Sequence, residues 1–218
     1  MKSTPTTKSV DFSKVYEPAE DSFLFLDALE EQTPYIQSRY QQNCLVLEIG
    51  PGSGIIITFV HKYILPNALY LTSDINVHAC EASLATSNEN GGALFLDTIR
   101  GDLACHLRPN LVDILLFNPP YVPDSESVPN IPADDDDNSW VDLALVGGKD
   151  GMEITNKLLD RLDSVLSPRG IAYILFCQRN NPESVMQRLK IQGWTAECVA
   201  HRKAGWEVLS IWRIERQS

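Results

Sequence analysis

The sequence predicts an α/β fold, and three observations predict it. Leu45-Val-Leu-Glu-Ile49 reads as a strand, Gly50-Pro-Gly-Ser-Gly54 follows at once, and an apolar helical stretch runs over about 55–65. Short apolar runs then alternate with helical patterns along most of the chain. Two final runs, 195–200 and 206–214, are joined by a short turn at 202–205 and read as an antiparallel hairpin ending the sheet.

A chain of 218 residues fits one large α/β domain and falls short of two comfortable ones. Residues 1–13 are rich in Ser, Thr and Lys and are expected to be a loose, flexible segment, leaving 14–218 as a single domain. A helix is expected over about 22–31, with Phe23, Leu26 and Leu29 facing inward and Asp21 or Ser22 as its N-cap. After the first strand, the glycines let backbone pass close to a ligand, and the following helix start presents free N–H groups. This is the first unit of a nucleotide-binding α/β fold. The spacing is neither G-x-G-x-x-G nor a P-loop, because the glycines fall at 50, 52 and 54 with Glu48 just before them. A carboxylate there repels a pyrophosphate and suits an ammonium or sulfonium ligand.

The second strand, Leu69-Tyr-Leu-Thr-Ser-Asp74, ends in an acid about 20 residues past the glycine turn, a place that commonly takes ribose hydroxyls. A helix over about 77–87 and the turn Asn90-Gly-Gly92 lead to an unusually apolar third strand, Ala93-Leu-Phe-Leu-Asp-Thr-Ile99. Gly101-Asp102-Leu103 then forms a loop suited to an adenine edge. The fourth strand, Asp113-Ile-Leu-Leu-Phe117, must stop at Asn118-Pro-Pro-Tyr121, since two prolines give no N–H to a ladder. Asn118 and the Pro119 carbonyl can accept the two protons of a planar –NH2 group, and Tyr121 can cover one face. A lone Asn-Pro-Pro is usually an ordinary loop; the glycine turn upstream gives this one its weight.

Residues 122–148 show no periodicity, which reads as a functional lid or a disordered loop, and the run Asp134–Asp137 within them reads as a solvated surface. Trp140 and Gly147-Gly148 suggest that its end orders against the body. A helix over 152–166, a stop at Ser167-Pro-Arg-Gly170, a strand over 171–177 and a helix over about 182–192 precede the terminal hairpin.

Composition narrows the function. Asp and Glu outnumber Lys and Arg by 29 to 18, and a net charge of −11 disfavours nucleic acid as the main partner. The five cysteines are scattered without a C-x-x-C pair, which argues against a zinc site or a disulfide framework and fits a reducing compartment. No signal-peptide pattern or membrane-length apolar run appears. The expected location is the cytoplasm, with the nucleus as a second compartment.

Glu48-x-Gly-x-Gly-x-Gly54, Asp74, Asp102 and Asn118-Pro-Pro-Tyr121, in this order, resemble the class I S-adenosylmethionine methyltransferases that act on planar nitrogens. Tyr16-x-Pro-x-Glu-Asp-Ser22, Ser73-Asp-Ile-Asn76 and Gly147-Gly-x-x-Gly151 narrow the resemblance to the eukaryotic and archaeal HemK-like glutamine methyltransferase of the class I translation release factor. It covers nearly the whole chain. It implies a Rossmann-like seven-stranded mixed sheet of order 3-2-1-4-5-7-6, strand 7 antiparallel, with helices on both faces.

The resemblance also implies roles. Ser22, Glu48 and Gly50 would hold the methionine end of S-adenosylmethionine, Asp74 its ribose, and Asp102 and Leu103 its adenine, with Gly52, Gly54 and Asn118 also at the cofactor. Asn118, Pro119 and Tyr121 would carry catalysis, and with Pro120 they would bind the substrate glutamine. Ser22 stands where close relatives usually have Thr, and Pro51 where they often have a smaller residue. The apolar third strand would lie at the sheet edge and pair with a small zinc-binding activator, forming a heterodimer. Two other substrates suit the same socket: an adenine amine of DNA or RNA, and a protein lysine. A catalytically silent scaffold is a third reading, against which the intact Asn118 and Tyr121 argue.

Overall fold

The computed structural model describes residues 2–40, 43–125, 128–135 and 139–217. Seven strands form one sheet: β1 (Leu45–Ile49), β2 (Leu69–Asp74), β3 (Leu96–Arg100), β4 (Val112–Phe117), β5 (Leu166–Cys177), β6 (Trp194–Ala204) and β7 (Glu207–Arg216). Their order is β3-β2-β1-β4-β5-β7-β6, as expected. The pairs from β3 through β5 are parallel, and β7 runs antiparallel to both β5 and β6.

Among the described residues seven α-helices flank it: α1 (Glu20–Arg39), α2 (Ile55–Tyr63), α3 (Val77–Glu89), α4 (Trp140–Leu143), α5 (Glu153–Leu159), α6 (Leu162–Val165) and α7 (Pro182–Ile191). Alternate residues of the central strands feed two cores. Val46, Ile114, Leu116 and Tyr173 meet α1 and α2, while Leu47, Leu115, Phe117 and Ile174 meet α5, α6 and α7. A strand buried on both faces reads as a continuous apolar run, which is why β1 and β4 were legible.

Several boundaries differ from expectation. The first helix starts at Glu20 behind an Ala19 cap that makes no side-chain bond, and it runs through Pro34 to Arg39. Tertiary anchors hold the added turns: Ile36 is buried, and Tyr35 and Arg39 both bond Glu215 of β7. The third strand begins at Leu96 rather than Ala93, although the Tyr70 amide still donates to the Phe95 carbonyl at 2.8 Å. The expected helix over 152–166 is two short helices, and the second stops at Val165 because Leu166 is taken into the sheet opposite Val112. Ser167-Pro-Arg-Gly170, read as a helix stop, bulges out of the β4–β5 ladder between the pairs Val112–Leu166 and Ile114–Ile171. Pro168 can give no ladder N–H, so a bulge suits it. The hairpin strands are longer than expected, and the turn between them is Gly205-Trp206.

The segment 2–13 has no helix or strand, yet it bonds to the body. Thr6 and Asn90 exchange two hydrogen bonds at 2.8–3.0 Å, and the Lys2 amide donates to Glu30. Val15 is buried against Ala79 and Ala82 of α3.

Gly54 caps α2 in the left-handed region at φ 74°, and a Cβ there would lie 2.5 Å from the Ser83 Cα of α3. Gly54→Ala should therefore lower stability by about 2–5 kcal/mol, combining left-handed strain with overpacking. Gly52, at φ 51° with nothing within 4 Å of its would-be Cβ, should cost only the backbone part, about 1–2 kcal/mol. Urea denaturation of the two alanine variants checks the difference.

Candidate active site

The parallel sheet reverses its strand order between β1 and β4, whose ends lie side by side with Ile49 opposite Phe117. Chain leaving each strand turns to opposite sides there, and a crevice opens at the carboxyl ends. It encloses about 1220 Å³ including its open mouth, and the glycine turn, Asp74, Asp102 and Asn118 all line it.

One half of the crevice is acidic. Glu48 is buried, and its Oε2 accepts the Ile57 amide of α2 at 2.8 Å. Burial drives the Glu48 carboxyl well above the usual range, the Ile57 bond opposes this and nearby Asp74 adds to it. Asp74 ends β2 and accepts the Asn76 amide at 2.9 Å. Burial pushes its carboxyl up to about 6, against the pull of backbone N–H groups from Asn76, Gly52 and Ile75. Neither acid forms an ion pair among the described residues.

Gly50 holds the turn to β2 by donating to the Ser73 carbonyl at 2.9 Å, and Gly52 faces open space. Gly54 does not line the crevice; it packs on Ser83 instead. Asp102 is exposed at the crevice edge, and Leu103 is buried at φ 50°. The Leu103 carbonyl accepts the Ser73 hydroxyl at 2.6 Å, which fixes that loop over the end of β2.

The other half is the rim after β4. Asn118 Nδ2 donates to Asp21 Oδ2 at 2.9 Å, while Asn118 Oδ1 is buried and makes no hydrogen bond among the described residues. Asp21 Oδ1 takes the Ser22 amide at 2.7 Å, the Ser22 hydroxyl at 3.3 Å and the Tyr16 hydroxyl at 3.4 Å. Pro119 is buried and Pro120 half-buried. The Tyr121 hydroxyl donates to Glu207 of β7 at 3.4 Å. Burial, with Asp21 and Glu207 nearby, raises the pKa of that phenol and keeps it neutral. Tyr16 is raised likewise, first by burial and then by Asp21.

Backbone braces the rim from behind. The Tyr121 carbonyl accepts Asn180 Nδ2 at 3.1 Å, and the same amide donates to the Asp150 carbonyl at 2.9 Å. A Cβ on Gly151 would stand 2.0 Å from the Tyr121 carbonyl oxygen, and one on Gly147 would stand 2.4 Å from that of Pro120. The Gly147-Gly-x-x-Gly151 turn is glycine-rich because it lies directly against the rim.

The stretch over 122–148 is tied down at both ends. Val122 bonds Leu145 and Gly147 at 2.9–3.0 Å, and Trp140 is buried and lines the crevice with Leu143 and Leu145. Arg100 grips both carboxylate oxygens of Asp135, at 2.6 and 3.2 Å. Asp136 and Asp137 lie outside the described residues. Of the histidines, His61 is buried beside Ser87, with its pKa lowered by burial to about 4.

The structure thus brings together Ser22, Glu48, Gly50, Gly52, Asp74, Asp102, Leu103 and the Asn118–Tyr121 rim, and leaves Gly54 behind the turn. Sequence reasoning missed Asp21, which it read as an N-cap, and also Tyr16, Asn180 and Glu207 as neighbours of the rim. Only the run Tyr16-Glu-Pro-Ala-Glu-Asp-Ser22 carried a signal for the first two.

No protein-family model matches the chain. It is 39% identical to the eRF1 methyltransferase catalytic subunit mtq2 of Schizosaccharomyces pombe, over 99% of this chain and 96% of that one. It is 35% identical to the methyltransferase HEMK2 of Homo sapiens, over 94% and 91%. Among solved structures it resembles the E. cuniculi Mtq2–Trm112 complex, responsible for methylating the eRF1 termination factor. That match has a TM-score of 0.67 and 27% identity, and covers 94% of this chain and 99% of that one. The sheet order, the crevice and these relatives agree: the chain belongs to the Mtq2/HEMK2 family of class I methyltransferases.

Proposed function

We propose that this chain methylates N5 of the glutamine in the Gly-Gly-Gln loop of the class I translation release factor. We read it as the catalytic subunit of a heterodimer with a small zinc-binding activator. The observation that carries the reading is the Asn118 side chain. A buried carbonyl oxygen without a partner is unfavourable unless a donor arrives, and a primary amide brings one.

S-adenosylmethionine fits the acidic half of the crevice. Gly52 leaves room for a ligand against backbone, and buried Glu48 and half-buried Asp74 form no ion pair among the described residues. Glu48, Gly50, Gly52 and Ser22 would hold its methionine end, Asp74 the ribose hydroxyls, and Asp102 with Leu103 the adenine. Gly54 would serve by shaping the start of α2. When bound, this cofactor supplies an electrophilic methyl group on a sulfonium.

The remaining work belongs to the rim. A glutamine nitrogen is a poor nucleophile, since its lone pair is delocalised into the carbonyl. Asn118 Oδ1 and the Pro119 carbonyl would accept its two protons and fix its direction. Alignment of this kind contributes up to ~7–11 kcal/mol. Tyr121 would pack on the amide plane, and its ring face favours the positive charge that develops. Once methylated, the nitrogen is strongly acidic and loses its extra proton to water, so the two acceptors direct the amide without having to keep a proton. No histidine is needed as a base.

The activator would cover the outer edge of β3. Among the described residues that strand pairs with β2 alone, and Leu94 and Phe95 beside it are 71% and 55% exposed. An unpaired apolar edge invites strand addition. Five free cysteines suit work in the reducing cytoplasm, with the nucleus as second compartment.

Asn118→Ala should keep cofactor affinity within about threefold and abolish transfer; calorimetry and a methylation assay on one preparation check this. The same assay with oligonucleotides should show no turnover, and turnover there would favour the adenine reading. Cofactor affinity should fall as pH drops through about 6, where Asp74 takes up its proton and ceases to be a charged acceptor. Asp74→Asn should flatten that dependence, and Asp74→Ala should weaken binding by about 1.5–3 kcal/mol. Phe95→Lys should disrupt the heterodimer in size-exclusion chromatography while cofactor binding persists.

A further inference from the structure

We infer that Asp21 is the positioning residue that decides which way the Asn118 amide faces. It thereby makes the socket an acceptor of hydrogen rather than a donor. The inference rests on the reading of the substrate as an amide and goes one layer deeper.

An asparagine amide can turn over at little cost, exchanging an oxygen for an NH2 of nearly equal size. A socket that must present oxygen has to forbid the turn. Asp21 is 4% exposed, and its two oxygens are used differently. Oδ1 is taken by the Ser22 amide at 2.7 Å, the Ser22 hydroxyl at 3.3 Å and the Tyr16 hydroxyl at 3.4 Å. Oδ2 faces Asn118 at 2.9 Å. A carboxylate only accepts, so Asn118 must turn its NH2 towards Asp21 and its oxygen the other way. The turned amide would set oxygen against oxygen at that distance, away from water. The buried, unpartnered Asn118 Oδ1 is the outcome of this constraint.

The geometry makes an unusual demand on substitutions. In Asp21→Asn the new side chain must keep its oxygen on the Ser22 amide, which can only donate. Its NH2 then meets the NH2 of Asn118, and Asn118 turns over to present a donor to the substrate. In Asp21→Ala nothing imposes either orientation, and an arriving amide can still select the productive one.

The test uses the heterodimer with the release factor as substrate. Asp21→Asn should lower kcat by on the order of a hundredfold or more, the scale for one misdirected polar group in an active site. Asp21→Ala should be less damaging than Asp21→Asn, and calorimetry should show cofactor binding in both. Release factor with glutamate in place of the loop glutamine serves as a second probe. Wild type should bind it more weakly than the glutamine form, and Asp21→Asn should narrow or invert that preference by at least about tenfold, the scale of one hydrogen bond to a charged group. Alanine more damaging than asparagine, or an unchanged glutamine-to-glutamate preference in Asp21→Asn, would overturn the inference. Absence of wild-type turnover on the release factor would instead overturn the substrate reading.

Discussion

The pairing of β1 with β4 is the constraint on which the rest depends. Each strand is buried on both faces and parallel to the other, so neither can slip without moving two cores at once. That register puts the end of Ile49 beside the end of Phe117. The glycine turn and the proline rim therefore start from adjacent points and diverge. Glu48 and the turn hang from one exit, Asn118 and Tyr121 from the other, and Asp74 at the end of β2 and Asp21 and Ser22 at the start of α1 close in on them.

The polar groups then divide by what they lack. On the β1–β2 side the acids are raised by burial, and neither forms an ion pair among the described residues. On the β4 side, one asparagine is satisfied at its nitrogen and unsatisfied at its oxygen. The first half suits a positively charged ligand with hydroxyls, and the second a donor with two protons. A site that receives two molecules needs two kinds of deficit, and here they sit at neighbouring strand ends.

The sequence made the central strands and the glycine turn legible because parallel strands leave long apolar runs and the turn leaves glycines at fixed offsets. Asn118-Pro-Pro-Tyr121 was legible because two prolines end a strand visibly. What stayed hidden was set at long range. The first helix was expected to end near residue 31, but it continues because Tyr35, Ile36 and Arg39 are held by the core and by Glu215, far along the chain. Ser167-Pro-Arg-Gly170 looked like a helix stop and is a bulge, because Leu166 had a strand partner that local pattern does not reveal. Asp21 had the chemistry of an N-cap, and only the fold shows that its second oxygen meets a residue 97 positions away. Gly54 was credited to the ligand when its conformation serves contact between two helices.

The outer edge of β3 carries a consequence for how the chain must be supplied. Leu94 and Phe95 stand exposed beside a strand that, among the described residues, has one unpaired side. Such an edge pairs with whatever strand it meets first. A copy finished before its cover is at hand competes with every other copy for the same contact, and that encounter grows with the square of their concentration. If the proposed activator is that cover, matched synthesis of the two chains matters physically, since excess of this one feeds self-association while excess of the cover does not.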